Sequence, residues 1–316
     1  MPAASAIVTV GLNPAIDRVL EVEGFTIGAH QQGKEVFRMP AGKSLNVSRA
    51  LALLGVHNTA TGFLGKDNHE EFSLMLEELN IVDEFFLLPG RTRENVTITD
   101  PVTRQETHIR QRGLHVDELH RQRLQRKLQF LSRPDAIIVF SGSLPPGISS
   151  EEFAAMVDMC VAGGAKVAVD SSGSAIREVW ARKLWLVKPN HQELSDLAGR
   201  PLDNEQQELV AARELADHIE VVLLTKGSAG ALMFSGGMEF RGHVDLDESL
   251  VKNTVGCGDA MLAAFIAGVR QQLPIEKAFA RAIACATASA CTLSPADFDP
   301  AFAGELEQRL IEERIN

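Results

Sequence analysis

The segment Asn253-Thr254-Val255-Gly256-Cys257-Gly258-Asp259-Ala260 runs from a glycine-rich turn into the apolar stretch MLAAFIAGV. A turn of this kind leaves several backbone N–H groups free at a helix N-terminus, where they attract anions. Asp259 falls in the first helical turn. A carboxylate there, beside a bound phosphate, can take the proton of an attacking hydroxyl, although Asp at this place also serves as an ordinary cap. Lys188-Pro189-Asn190-His191-Gln192-Glu193 follows the apolar stretch LWLV and opens another helix. Asn190 and Glu193 have capping-box spacing, and the same two side chains offer hard oxygen ligands, direct or through water, to Mg2+ on nucleotide phosphates. Asp170 closes the run AKVAVD, at the strand end where open α/β sheets present side chains to ligands. Thr225-Lys226-Gly227-Ser228-Ala229-Gly230 joins two apolar runs, either as a plain tight turn or as a turn that brings N–H groups to phosphates. Taken together, these segments point to phosphoryl transfer more firmly than any one of them.

Pro40-Ala41-Gly42-Lys43-Ser44-Leu45-Asn46 contains the letters GKS of a P-loop. That motif needs a glycine five positions before the glycine of GK, and Phe37 stands there. Lys43 therefore needs another role.

The elements that must carry these residues follow from hydrophobic pattern. Short apolar runs (AIVTVGL, DAIIVFSG, AKVAVD, VVLLT) alternate with amphipathic stretches such as EEFAAMVDMCVAGG. Runs apolar at nearly every position, separated by helices, predict a parallel sheet covered on both faces: a doubly wound, three-layer α/β/α fold. Two excursions, about 12–40 and 91–113, instead alternate polar and apolar residues (NVTITD, ETHIRQR) with no helix between. They predict a small half-exposed sheet, a lid over the ligand edge, within a single domain spanning 1–316.

A net charge of −11 implies no extended basic face, so nucleic acid and anionic membrane are not expected partners, and any anionic ligand must be held by placed cations. No run approaches the length of a membrane span, and the N-terminus lacks a charged region ahead of its short apolar run. Cys160, Cys257, Cys285 and Cys291 have no metal-ligand spacing and read as reduced thiols in the cytoplasm.

From end to end the chain resembles the ribokinase-like, or PfkB, family of carbohydrate kinases. GLNPAID, PAGKSLNVSRAL, GFLGKD, GRTRENV, SGSLPPG, VDSSG, LVKPNHQEL, TKGSAGAL and TVGCGDAM occur in the family's order. NPAID, AGKSLNV and TR resemble the branch acting on phosphorylated ketohexoses. The resemblance implies an ATP- and Mg2+-dependent kinase for fructose 1-phosphate, with tagatose 6-phosphate and fructose 6-phosphate as alternatives and a non-catalytic sugar-phosphate sensor as a different class. It also implies a β lid that often serves as a homodimer clasp. Asp259 would be the base and Gly256, Cys257 and Gly258 the anion hole. Asn190, Glu193 and Asp170 would organise Mg2+, directly or through water, while Lys188, Asn190, Thr225, Gly227 and Gly230 would bind the nucleotide. Asn13, Asp17, Gly42 and Asn46 would hold sugar hydroxyls, and Lys43 and Arg93 the phosphate already on the sugar. Lys34 and Arg110 read as a solvated lid face. Two residues depart from the family pattern: Cys257 stands where alanine is usual, adding a thiol expected to have a low pKa at a helix N-terminus. Ser44 stands where glycine is usual, and would strain or crowd the site if that position needs a positive φ or lets the sugar approach closely.

Overall fold

The structure, a computed structural model, describes residues 7–171, 173–180 and 182–315. Ala6, where the expected first strand begins, and Ser172 of VDSSG lie outside the described residues. The strands are β1 (Ile7–Gly11), β2 (Ala15–Glu21), β3 (Lys34–Ala41), β4 (Thr59–Gly65), β5 (Val82–Leu88), β6 (Glu94–Asp100) and β7 (Gln105–Arg110). They continue with β8 (Ile137–Ser141), β9 (Lys166–Asp170), β10 (Leu186–Val187), β11 (Val221–Thr225), β12 (Ala231–Ser235), β13 (Met238–His243) and β14 (Ile311–Arg314). The helices are α1 (Lys43–Leu53), α2 (His69–Glu78), α3 (Glu118–Leu131), α4 (Ser150–Ala162), α5 (Ser174–Val179), α6 (His191–Ala198), α7 (Glu205–Ala216), α8 (Cys257–Arg270), α9 (Ile275–Ala290) and α10 (Pro300–Gln308).

Ten strands form one sheet in the order β14-β13-β12-β11-β10-β9-β8-β1-β4-β5. Seven of them, from β5 to β11 in that order, pair in parallel. Because successive side chains on a strand point to opposite faces, an all-apolar run feeds two cores at once. Ile7, Ile137 and Val139 pack with α1, α8, α9 and α10 on one face. Val8, Val10, Ile138 and Phe140 pack with α3, α4 and α7 on the other. The doubly wound reading of the sequence therefore holds, with a margin the apolar pattern did not separate: β12, β13 and β14 run antiparallel. β12 is buried along its length and carries the same pattern in either direction, whereas β14 is exposed along its length and offers no apolar run to read.

The two excursions form the second sheet, of four strands in the order β3-β2-β6-β7. It is mixed, since β2 pairs with β3 antiparallel and with β6 in parallel. Arg38 of β3 ties it to the body: Nε lies 3.0 Å from Glu71 Oε2 on α2 and Nη2 lies 3.0 Å from Glu94 Oε1 on β6. Half-exposed ion pairs of this kind contribute little each, but a guanidinium shared by two elements fixes their relative orientation.

Where β1 ends beside the middle of β4, Gly62 has φ 126°, and a Cβ on it would stand 1.9 Å from the Gly11 carbonyl oxygen. The two strands approach closely here only because this position has no side chain. Gly62→Ala should destabilise the protein by more than about 2 kcal/mol, read from the midpoint of urea unfolding; an unchanged midpoint would show that β1 and β4 can separate at no cost.

Candidate active site

Helix α8 starts at Gly256, the N-cap, with φ 84°. Only glycine fits: a Cβ would stand 2.4 Å from the Ala296 backbone nitrogen. This turn aims the first N–H groups of an otherwise buried apolar helix away from the core, as expected of an anion site. Asp259, in the first turn, is 5% exposed. It does not close the helix end as a cap, because Gly256 holds that position without a side-chain bond. Its Oδ2 instead accepts a hydrogen bond from Asn46 Nδ2 at 2.8 Å. Burial first and Asp170 second push its pKa up to about 7, against the opposing pull of Lys43 and Lys188.

Asp170, at the end of β9, is fully buried. Lys43 Nζ, from the first turn of α1, lies 3.1 Å from its Oδ1, and Lys188 Nζ, from the loop after β10, lies 3.3 Å from its Oδ2. Burial alone would raise the Asp170 pKa, but the two lysines outweigh it and hold the carboxyl below its usual range. Lys43 also lies 3.8 Å from Glu193 Oε1. Burial lowers its affinity for the proton, yet Asp170, Asp259 and Glu193 together raise it above the ordinary lysine value. Lys188 is 5% exposed and sits against α8, since a Cβ on Gly258 would stand 2.9 Å from its Nζ. Two ammonium groups are thereby fixed beside the anion hole.

Asn190 and Glu193 form a full capping box on α6: Asn190 Oδ1 accepts from Glu193 N at 2.8 Å, and Glu193 Oε2 accepts from Asn190 N at 3.0 Å. Asn190 also bridges to Thr225 at the end of β11. These residues open a cavity of about 820 Å³, lined by Asn190, Thr225, Gly227, Gly230, Cys257 and Gly258, with an apolar wall that includes Val244, Leu246 and Ile283. A volume of that size with one apolar wall and an anion-binding end suits a nucleotide.

On the other side, Asn13, between β1 and β2, donates through Nδ2 to Arg112 O at 3.1 Å and Leu144 O at 3.3 Å. Asp17 accepts from Asn95 Nδ2 at 2.9 Å, and burial raises its pKa despite Asn95, Arg110 and Arg93. Arg93 donates to Pro14 O at 3.2 Å, Gln111 O at 2.9 Å and Asn13 O at 2.8 Å. Its guanidinium thus staples the two excursions together. Gly42, with φ 119°, is the N-cap of α1 and places Lys43 and Asn46 on consecutive turns.

Two expectations fail on physical grounds. The Cys257 thiol is not acidic: burial first, with Asp259 adding to it, pushes its pKa up to about 11. Ser44 is not strained, for it lies within α1 and the positive-φ non-glycine residues, among those described, are Asn80, Arg104, Gln272 and Ala296. Its side chain takes the space beside Gly11, where a Cβ would come 2.4 Å from Ser44 Oγ. Asn95 and Ser143 were missed as parts of the site. They lie in the motifs GRTRENV and SGSLPPG; pairing of β2 with β6 brings Asn95 to Asp17, and the loop after β8 brings Ser143 to Asn13 and Arg93.

A base tuned near neutrality, next to a helix N-terminus and fixed cations, suits in-line phosphoryl transfer to a hydroxyl, so fold and site define an ATP-dependent kinase of small molecules. The comparisons with known proteins agree. The chain belongs to the pfkB family of carbohydrate kinases, whose match spans residues 4–301. It is 31% identical to the 1-phosphofructokinase of Bacillus subtilis, covering 90% of this chain and 92% of that one. Against the 1-phosphofructokinase of Haemophilus influenzae the identity is 33%, covering 93% and 94%. Among solved structures, phosphofructokinase-2 of Escherichia coli in complex with potassium shares the fold, with a TM-score of 0.90 over 96% of this chain and 98% of that one at 24% identity. Arabidopsis thaliana ribokinase complexed with ribose and ATP does so at a TM-score of 0.76 and 21% identity, covering 96% and 99%.

A base must be ionised to accept a proton. With Asp259 raised to about 7, kcat/KM should climb as pH rises through neutrality and level off above. A profile flat from about pH 5 to about pH 8 would mean that no group with this pKa takes the proton.

Proposed function

We propose that the protein transfers the γ-phosphoryl group of ATP to the C6 hydroxyl of fructose 1-phosphate, giving fructose 1,6-bisphosphate and ADP. The observation that carries this reading is Asp259: a buried carboxylate with a pKa near 7, in the first turn of α8, next to the nucleotide-sized cavity. The relatives named 1-phosphofructokinase support the choice of acceptor.

Asp259 takes the proton of the attacking hydroxyl. The N–H groups of Gly256, Cys257 and Gly258 receive charge developing on the transferred group, in a site whose dipoles are already oriented. Thr225, Gly227 and Gly230 line the nucleotide side, with Asn190 and Lys188 next to them. Asn13, Asp17, Gly42 and Asn46 bind sugar hydroxyls; Asn46 also holds Asp259, and its Oδ1 is buried without a hydrogen-bond partner, which suits a hydroxyl donor. Arg93, with Arg110 acting on the same pocket through Asp17, takes the phosphate already on the sugar. Lys43 shares that phosphate in our sequence-based scheme. Its bridge to Asp170 and nearness to Glu193 favour a place between the acceptor and the transferring group.

Among the described residues no cluster of three His, Cys, Asp or Glu side chains forms a metal cage. That donor set fits Mg2+, which binds through one or two carboxylates plus substrate phosphates and keeps its waters. Glu193 keeps Oε1 outside its cap, and this oxygen and Asp170 Oδ1 lie 3.8 Å and 3.1 Å from the same Lys43 Nζ, so Asp170, Glu193 and Asn190 would hold the ion and its waters. When bound, Mg2+ neutralises the phosphate charges. We place the enzyme in the cytoplasm, consistent with four free cysteines and with no described helix long and apolar enough to cross a membrane. The exposed face of the small sheet is the proposed homodimer contact.

ADP release measured with fructose 1-phosphate, fructose 6-phosphate, tagatose 6-phosphate and fructose should be fastest with the first. Activity confined to unphosphorylated fructose would remove Arg93 and Lys43 as phosphate ligands. Asp259→Asn should lower kcat by about three orders of magnitude while ATP still binds. A carboxyl whose pKa is raised on folding loses stability as pH rises from the unfolded value towards the folded one, here from 3.8 to about 7. At pH above 7 the Asn variant should therefore unfold at no lower temperature than the wild type; a large fall in Tm would assign Asp259 a structural role instead.

A further inference from the structure

Arg49 is an unused charge in the middle of the fold. It lies on α1 three residues after Asn46, whose amide reaches Asp259 of α8, and six after Lys43, and it is 9% exposed. Burial lowers its pKa, partly offset by Asp297. Its Nη1 donates to the Pro295 carbonyl at 3.1 Å and lies 3.7 Å from Met39 Sδ. An aliphatic side chain would fill this place without the cost of desolvating a guanidinium, so the bond to Pro295 is what the charge provides.

The Pro295 carbonyl belongs to a constrained turn. The next residue, Ala296, is fully buried with φ 54°, a left-handed conformation that is unfavourable for a non-glycine residue and persists only where neighbours enforce it. Ala296 N is the atom closest to Gly256, 2.4 Å from where a Cβ would stand. The same loop is held to the approach of α8 by Asn253 Nδ2, which donates to Leu293 O at 2.8 Å. The chain of contacts therefore runs from Arg49 through Pro295 and Ala296 to Gly256, the first residue of the anion hole.

We propose that Arg49 is a positioning residue for the anion hole: by holding the Pro295 carbonyl it fixes the Pro295–Ala296 turn against Gly256, and so fixes where the N–H groups of Gly256, Cys257 and Gly258 point. One face of α1 then sets both halves of the reaction, with Asn46 on the base and Arg49 behind the anion hole. Arg49 does not line the nucleotide-sized cavity, so its loss should act on the transition state and spare ground-state binding.

The inference rests on the kinase reading, and the test separates the two. Arg49→Met and Arg49→Lys are compared with the wild type for kcat, both KM values, Tm and backbone amide exchange. Arg49→Met should lower kcat about tenfold to a hundredfold with each KM within about twofold. Exchange should accelerate at Gly256, Cys257, Gly258 and Ala296 and stay unchanged in β1 and β8. Arg49→Lys, which keeps a charge able to reach Pro295, should recover part of kcat, and it decides the matter if the methionine variant does not fold. Wild-type kcat with wild-type exchange at Gly256 in the methionine variant would overturn the proposal while leaving the kinase intact. So would a fall in kcat that only tracks Tm, with exchange rising throughout. A wild-type protein that releases no ADP with any of the four sugars would overturn the kinase reading itself.

Discussion

A carboxylate with no exposed surface sits at the centre of this molecule, and it is tolerable only because two ammonium groups meet it. Asp170 ends β9 in the middle of the main sheet, with Lys43 at one oxygen and Lys188 at the other. Removing either lysine would leave a buried charge half compensated. One comes from the first turn of α1 and the other from the loop that leads into α6, so Asp170 ties these two segments to the end of β9. In a chain of net charge −11 this is how a polyanionic substrate can be met by cations already in place. The basicity of Asp259 depends on the same arrangement. Burial and the nearby Asp170 raise its pKa, while Lys43 and Lys188 lower it, and the balance falls near neutrality.

The sheet and its helices were legible because burial on two faces demands continuous apolar runs, and DAIIVFSG or AKVAVD has no other economical use. Strand direction was less legible at the margin, where β12, β13 and β14 reverse. Single residues of the site could be picked from motif and helix-start position; their partners could not. Lys43 and Asp170 stand 127 positions apart, and Asn46 and Asp259 stand 213 apart. Nothing in local pattern says that Lys43 meets a carboxylate. Arg93 shows the same gap: sequence marks a guanidinium in a lid loop, but not that three backbone carbonyls already claim most of its donors.

Where local rules pointed two ways, burial decided. At a helix N-terminus the dipole lowers a thiol's pKa, whereas loss of water raises it; at Cys257 the second effect is the larger. At Asn190 and Glu193 the choice between cap and ligand proves unnecessary. The capping box uses one oxygen of Glu193 and leaves the other 3.8 Å from Lys43, so the helix end is satisfied before any ligand arrives. A side chain locked by its cap loses little further freedom on binding, which is what a preorganised site requires.

Ser44 carries the same logic to the acceptor side. Glycine is the usual residue of the family at this position, yet the positive φ of the turn belongs to Gly42, one step before α1. By position 44 the chain is helical, so a side chain costs no backbone strain and needs only room. Gly11 supplies it, at the end of the strand that leads into Asn13. The departure is therefore compensated within the first motif of the chain, GLNPAID, and the hydroxyl of Ser44 is spent on packing α1 against β1. It follows that Ser44 leaves the helical start of α1 undisturbed, and with it the placing of Lys43 against Asp170 and of Asn46 against Asp259.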